Sequence, residues 1–301
     1  MSLNLPDEAA YVKGMLDRTR YFFSENELSK ITNATVAVVG VGASGSMVAE
    51  LLARWGVGRF RLLDMDKYEL SNINRQLFAT SKTIGRWKAE VAAERIGEIN
   101  PFVRIECVVN EKLTLENADS FIKGATVVIN ASDTKSGLFL IHNFSHRYHI
   151  PVVEGHGWNM TGIKIRVYDY RKPGQKRYDE PFRLGIVNRI LAPLFDSSRT
   201  DFCRVTQEDV DKMDARDSGP AGGSLGTTTT LVGCALTTEV IKLLSGRGTT
   251  ICHPYETYLD FFSMKMRVAH KNSLGNILGT LKNRRSEIMK NLFGGRPLKS
   301  R

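Results

Sequence analysis

The sequence predicts an α/β fold, a doubly wound and mostly parallel sheet with an antiparallel extension, on three observations. Short β-branched runs alternate with helix-like segments from Thr35 to Glu154, the pattern of parallel strands covered on both faces. A glycine cluster, Gly40-Val-Gly42-Ala43-Ser44-Gly45, stands where the first strand hands over to the first helix. After Glu154 the rhythm breaks, and Gly162–Tyr170 alternates like an exposed strand. A glycine turn between strand and helix makes the parallel part Rossmann-like.

The elements follow in order. Thr35–Val39 reads as a buried strand, Ser44–Trp55 as a helix and Phe60–Asp64 as the second strand. Lys88–Ile99 is helical and must stop at Asn100-Pro101, because proline disfavours helix in the residue before it. Val103–Val109 and Ala125–Asn130 are the third and fourth strands, Ile141–Tyr148 a helix, and Pro151–Glu154 a further strand. Residues 171–217 are polar and loop-rich, and Ser218-Gly-Pro-Ala-Gly-Gly223 breaks the chain. Thr227–Leu244 reads as a long apolar helix stopped at Ser245-Gly246, and Tyr255–Val268 as a final strand region. A basic amphipathic helix is expected in the C-terminal tail, with Ile277, Leu281, Ile288 and Leu292 on one face and Lys282, Arg284, Arg285 and Lys290 on the other.

Charge is unevenly placed. The chain carries a formal net charge of +10, but from Lys265 to Arg301 ten Lys/Arg face one Glu. The body before Lys265 is therefore close to neutral, and the tail is the part suited to an acidic partner. The four cysteines (Cys107, Cys203, Cys234, Cys252) form no C-x-x-C pair, which argues against structural zinc and against a disulfide framework. Cys107 and Cys234 lie in apolar runs and are expected to be buried. No apolar run reaches the ~20 residues of a membrane helix, and Met1–Arg20 lacks the apolar centre of a secretory signal, so a cytoplasmic location is expected.

The glycine cluster lets backbone N–H groups approach a nucleotide, and the following helix N-terminus favours phosphate charge. Asp64, at the end of the second strand, is placed to accept ribose hydroxyls. So far an NAD-dependent dehydrogenase fits equally well. The next segment separates the readings. Asp64-Met-Asp66 is followed by Ser71-Asn72-Ile-Asn74-Arg75-Gln76 and then Gly85-Arg-Trp-Lys88. Arg75 and Lys88 suit the charge developing on a triphosphate, and Asn72 can donate to a phosphate oxygen. Asp133, just past the fourth strand, supplies the oxygen ligand that magnesium prefers.

These pieces, with Glu98-Ile-Asn-Pro101, resemble the ThiF/MoeB superfamily, which includes the activating enzymes of ubiquitin-like proteins. The resemblance implies ATP- and Mg2+-dependent adenylation of a carboxylate, most directly the C-terminus of a ubiquitin-like, sulfur-carrier or peptide substrate. It implies Asp64 at the ribose, Asn72, Arg75 and Lys88 at the phosphates, and Asp133 at the magnesium ion; Asp66 and Gln76 belong to the same motifs. It also implies a homodimer in which an N-terminal arginine, best Arg20, reaches the partner's ATP. An adenylation domain over residues 1–264, with its nucleotide-binding part near 34–155, is then followed by the basic tail, 265–301.

The chain departs from the pattern in two respects. The zinc-binding cysteine pairs of many relatives are missing. Where some relatives carry a cysteine nucleophile, the alignment places Ala221, which leaves Cys203, beside Arg204, as the one substitute. His156, between two glycines after a strand, is a candidate for the substrate pocket. Members that dehydrate threonylcarbamoyladenosine in tRNA share the Thr19-Arg-Tyr-Phe-Phe23 stretch, and a basic tail suits tRNA, so a non-protein carboxylate is the alternative.

Overall fold

The computed structural model of the chain describes residues 5–158, 161–178, 205–215 and 224–271. Cys203, Ala221 and the tail beyond Lys271 lie outside the described residues. Eight strands form one sheet in the order β3-β2-β1-β4-β5-β6-β7-β8. They are β1 (Thr35–Val39), β2 (Arg59–Leu63), β3 (Arg104–Val109), β4 (Val127–Asn130), β5 (Val152–Trp158), β6 (Gly162–Tyr168), β7 (Tyr255–Asp260) and β8 (Lys265–His270). The first five run parallel, and β5 to β8 pair antiparallel.

Helices cover both faces of the parallel part. On one side lie α2 (Glu25–Thr32), α3 (Ala43–Arg54), α4 (Lys88–Ile99) and α8 (Gly226–Ser245), around Ile31, Val48, Leu52, Ile96 and Leu236. On the other lie α5 (Leu115–Ile122), α6 (Lys135–Arg147) and α7 (Gln207–Ala215), around Ile122, Leu140 and Val210. A first helix, α1 (Glu8–Met15), precedes them. β1 and β4 are buried along their whole lengths, which is why they read as unbroken apolar runs.

Local chemistry sets the helix ends. Ser24 and Glu27 form a reciprocal capping box at the start of α2. Thr134 caps α6, accepting from the Gly137 N–H at 3.1 Å. Asn100 is extended ahead of Pro101 and ends α4. Gly246, at φ +78°, closes α8 with its N–H on the Lys242 carbonyl.

Several expectations are corrected. α6 begins six residues before the anticipated Ile141, because Thr134 supplies the cap that the apolar run does not mark. Helices α1, α2, α5 and α7 are additions to the expected elements, α7 falling within the stretch read as loop-rich; none has the long apolar stripe that periodicity detects. β6 is largely buried rather than exposed, since it is flanked by β5 and β7 and covered by α8. The final strand region is a hairpin of two strands. Cys234 is exposed on α8, facing away from the sheet, while Cys107 is half-buried with burial raising its thiol pKa.

Candidate functional site

The order 3-2-1-4-5 reverses direction between β1 and β4, and crevices for ligands form outside strand C-termini at such a point. Two loops leave the sheet there, Gly40–Gly45 after β1 and Ala131–Asp133 after β4. They touch: a Cβ at Gly40 would fall 2.6 Å from the Ala131 carbonyl oxygen, and Gly40 has φ +86°. A Cβ at Gly45 would fall 1.9 Å from the Gly40 carbonyl oxygen. Only glycine lets α3 seat directly behind the turn. Gly42 is the exception, with nothing nearer than the Gln76 amide at 3.6 Å. α3 opens there with no side-chain cap, so its first-turn N–H groups face the crevice as anion donors.

Asp64 ties β2 to the turn. Its Oδ2 accepts the Val41 N–H at 2.8 Å and its Oδ1 the Asp66 N–H at 2.9 Å. Burial pushes its carboxyl up from the ordinary value, while the Lys88 charge and both amides pull the other way. A carboxylate has about four acceptor directions, so two remain beyond those used by the two amides.

The segment after Asp66 folds back over the turn. The Glu69 N–H donates to Asn72 Oδ1 at 3.0 Å, which fixes the buried Asn72 in a tight turn. Arg75, half-exposed, donates to the Ser71 carbonyl at 2.7 Å and to Asn74 Oδ1 at 3.0 Å. Gln76 is buried against Gly42, and its Oε1 has no hydrogen-bond partner among the described residues. Lys88 enters from the start of α4, buried, with Nζ 2.8 Å from Asp66 Oδ2. On the β4 side, Asn130 Oδ1 accepts from both the N–H and the Oγ of Ser132, setting the loop that exposes Asp133.

The structure thus gathers Gly40, Gly42, Ala43, Ser44, Gly45, Asp64, Asp66, Asn72, Arg75, Gln76, Lys88 and Asp133 around one switch point. Arg20 is elsewhere. It pairs with Glu25 in a cleft of about 350 Å3 between α1 and α2. His156 stands exposed at the C-terminal end of β5. One contributor was missed by the sequence reading. The start of α8 closes against Asn74 and Arg75, since a Cβ at Gly226 would fall 2.4 Å from the Asn74 carbonyl oxygen. A glycine opening a long helix was the available signal.

A doubly wound sheet with a glycine turn at its switch point defines the class, and comparison with known proteins defines the family. Residues 16–275 match the ThiF family. The chain is 37% identical to the tRNA threonylcarbamoyladenosine dehydratase of Escherichia coli (strain K12) over 51% of its own length and 58% of that protein's. It is 31% identical to ubiquitin-like modifier-activating enzyme 5 of Caenorhabditis elegans over 79% of its own length and 54% of that protein's. The crystal structure of E. coli MccB with ATP has the same fold, with a TM-score of 0.61 at 16% identity, covering 81% of this chain and 65% of that one. The chain belongs to the ThiF family. The matched stretch is little more than half the length of either relative.

Proposed function

We propose that the chain adenylates a carboxylate with ATP. The observation that carries this is the meeting, at one switch point, of the uncapped α3 N-terminus, the Asp64 carboxylate, the cations Arg75 and Lys88, and the exposed Asp133. The orphaned Gln76 oxygen and the space at Gly42 suit a ligand there. In this reading Asp64 holds the ribose, and the turn amides with Asn72, Arg75, Gln76 and Lys88 hold the phosphates. Asp133 would hold magnesium, which shields phosphate charge when bound.

The reaction is attack by a substrate carboxylate oxygen on the α-phosphorus. The bond from that phosphorus to the bridging oxygen breaks, pyrophosphate leaves with the electron pair, and an acyl-adenylate remains. The chain's part is positioning and charge stabilisation. Lys88 is preorganised for this by Asp66 and Arg75 by the Ser71 carbonyl. Hydride transfer is disfavoured because it has no use for this cationic cluster.

The matches differ on the carboxylate. The relative covering more of the chain is a ubiquitin-like modifier-activating enzyme, which favours a protein or peptide C-terminus. The higher identity is to a dehydratase named for a tRNA nucleoside, which favours a second reading in which the tail contacts tRNA. A homodimer with Arg20 acting in trans, a nucleophilic role for Cys203, and division into residues 1–264 and 265–301 belong to the same proposal.

Calorimetry with Mg2+ and the ATP analogue AMPCPP, beside NAD+, tests the core of it. The analogue should bind and NAD+ should not. Arg75→Ala should weaken analogue binding by ~10- to 100-fold, the worth of a lost charge-assisted hydrogen bond, with the circular-dichroism spectrum unchanged. Undiminished binding by the variant would remove Arg75 from the site.

A further inference from the structure

Four residues stand in register across the antiparallel half of the sheet. His156 of β5 lies opposite Lys164 of β6, Lys164 opposite Tyr258 of β7, and Tyr258 opposite Arg267 of β8. Register partners share a face, so the four form one row. It starts at the C-terminal end of β5. Since β5 runs parallel to β4, with Glu154 opposite Asn130, that is the end from which the Asp133 loop leaves. The row therefore runs outward from the crevice, on the side away from Asp64.

Immediately beneath it lies a second row whose charges are spent on one another. Arg166 donates to Glu154 Oε1 at 3.1 Å and also to Glu256. Glu154 further accepts from Asn130 Nδ2 at 3.1 Å and contacts His142 Nε2 at 3.3 Å. The Tyr258 hydroxyl donates to Glu256.

Lys164 differs. Among the described residues its Nζ makes no ion pair and no hydrogen bond, and the Tyr258 ring, 6.0 Å away, is at the outer limit of a cation–π contact. It is nevertheless half-buried, and burial together with the Arg166 charge pulls its ammonium down to about 8. The Glu256 and Glu154 charges act on it only at a distance, and a partly desolvated cation without a direct ion pair costs free energy that a bound anion recovers.

We propose that Lys164 is the residue that captures the substrate's carboxylate and specifies a singly charged acid, with His156 and Tyr258 flanking it. The inference rests on the adenylation reading and deepens it by naming what holds the second substrate. The local chemistry selects the class: Lys164 is a single cation with no ion pair among the described residues, set beside an ionic row whose members pair with one another. That suits a monoanion better than a phosphodiester backbone, which needs several cations in a line. A peptide C-terminus and an amino-acid carboxylate borne on a nucleoside present the same group.

The test uses the full chain with Mg2+ and AMPCPP, acetylated by an N-hydroxysuccinimide ester at pH 8 and followed by mass spectrometry. N-acetylglycylglycine stands in for a peptide terminus, N-acetylthreonine for an amino-acid carboxylate, and N-acetylglycylglycinamide is the uncharged control, none of them carrying an amine that would consume the ester. One carboxylate at ~20 mM should slow acetylation of Lys164 about five-fold, as a millimolar Kd requires, leaving the exposed Lys82 unaffected. The stronger protector identifies the source of the carboxylate. Equal rates with and without both acids, or equal protection by the amide, overturn the assignment. Calorimetry on the same sample separates the two failures: absent AMPCPP binding sinks the adenylation reading, whereas intact binding without protection sinks only Lys164.

Discussion

The central parallel strands, β1 and β4, and the antiparallel half of the sheet handle polar side chains in opposite ways. In the parallel half, β1 is apolar throughout but for Thr35, and β4 but for Asn130 at its end. Helices cover both faces there, so functional groups are pushed past the strand C-termini into loops, where Asp64, Arg75 and Asp133 stand. In the antiparallel half only one face packs on α8, through Ile163, Ile165 and Val167. The other carries Glu154, Arg166, Glu256 and Lys164 in mid-strand. A strand that is apolar on both faces gathers chemistry only at its end, whereas a strand with one apolar and one polar face can carry it along its length. The second arrangement demands that buried charges be satisfied, and Glu154 has four polar partners, Arg166, Asn130, His142 and Tyr168.

The largest expected effect breaks that arrangement. Glu154→Gln leaves Arg166 short of a counter-ion and should cost ~3–5 kcal/mol in denaturant unfolding. The pH dependence sharpens it. Burial alone would raise the Glu154 carboxyl, but the His142 hydrogen bond and the Arg166 charge hold it well below the ordinary 4.5. The native form stays ionised where the unfolded chain takes up a proton, so wild-type stability falls as pH drops below about 4.5. The variant should show a shallower acid slope; an unchanged slope would mean that Glu154 is not the group responsible.

Next in size is the parallel half. Gly45→Ala places a methyl on the Gly40 carbonyl oxygen and should destabilise by ~1–3 kcal/mol while abolishing AMPCPP binding. Gly42→Ala, whose Cβ would meet only the Gln76 amide at an ordinary contact distance of 3.6 Å, is the control that should retain stability. Smallest is Cys234→Ser on the outer face of α8, expected within ~0.5 kcal/mol of wild type by thermal melt. A larger loss would show that this face is covered by something in solution.

The site was legible to the extent that its residues are close in sequence. Gly40–Gly45, Asp64 and the run Asn72–Gln76 carry their spacing on the chain. The Gly226 contact with Asn74 was not legible, nor was the row beneath Lys164, because Arg166 and Glu256 are 90 residues apart. His156 could be marked only as a pocket candidate, since the neighbour that gives it meaning lies on another strand.

What the sequence determined alone is the parallel half with its turn. β-branched runs, a glycine that permits φ +86°, and a proline that stops a helix are local constraints, legible without knowledge of any long-range contact. Tertiary structure decided which strands became neighbours beyond β5, that β6 is buried, that Cys234 faces outward, and that Lys164 stands beside a neutralised ionic row. Those outcomes depend on pairing across long stretches of chain, where periodicity fixes which face a side chain takes but not what it meets there.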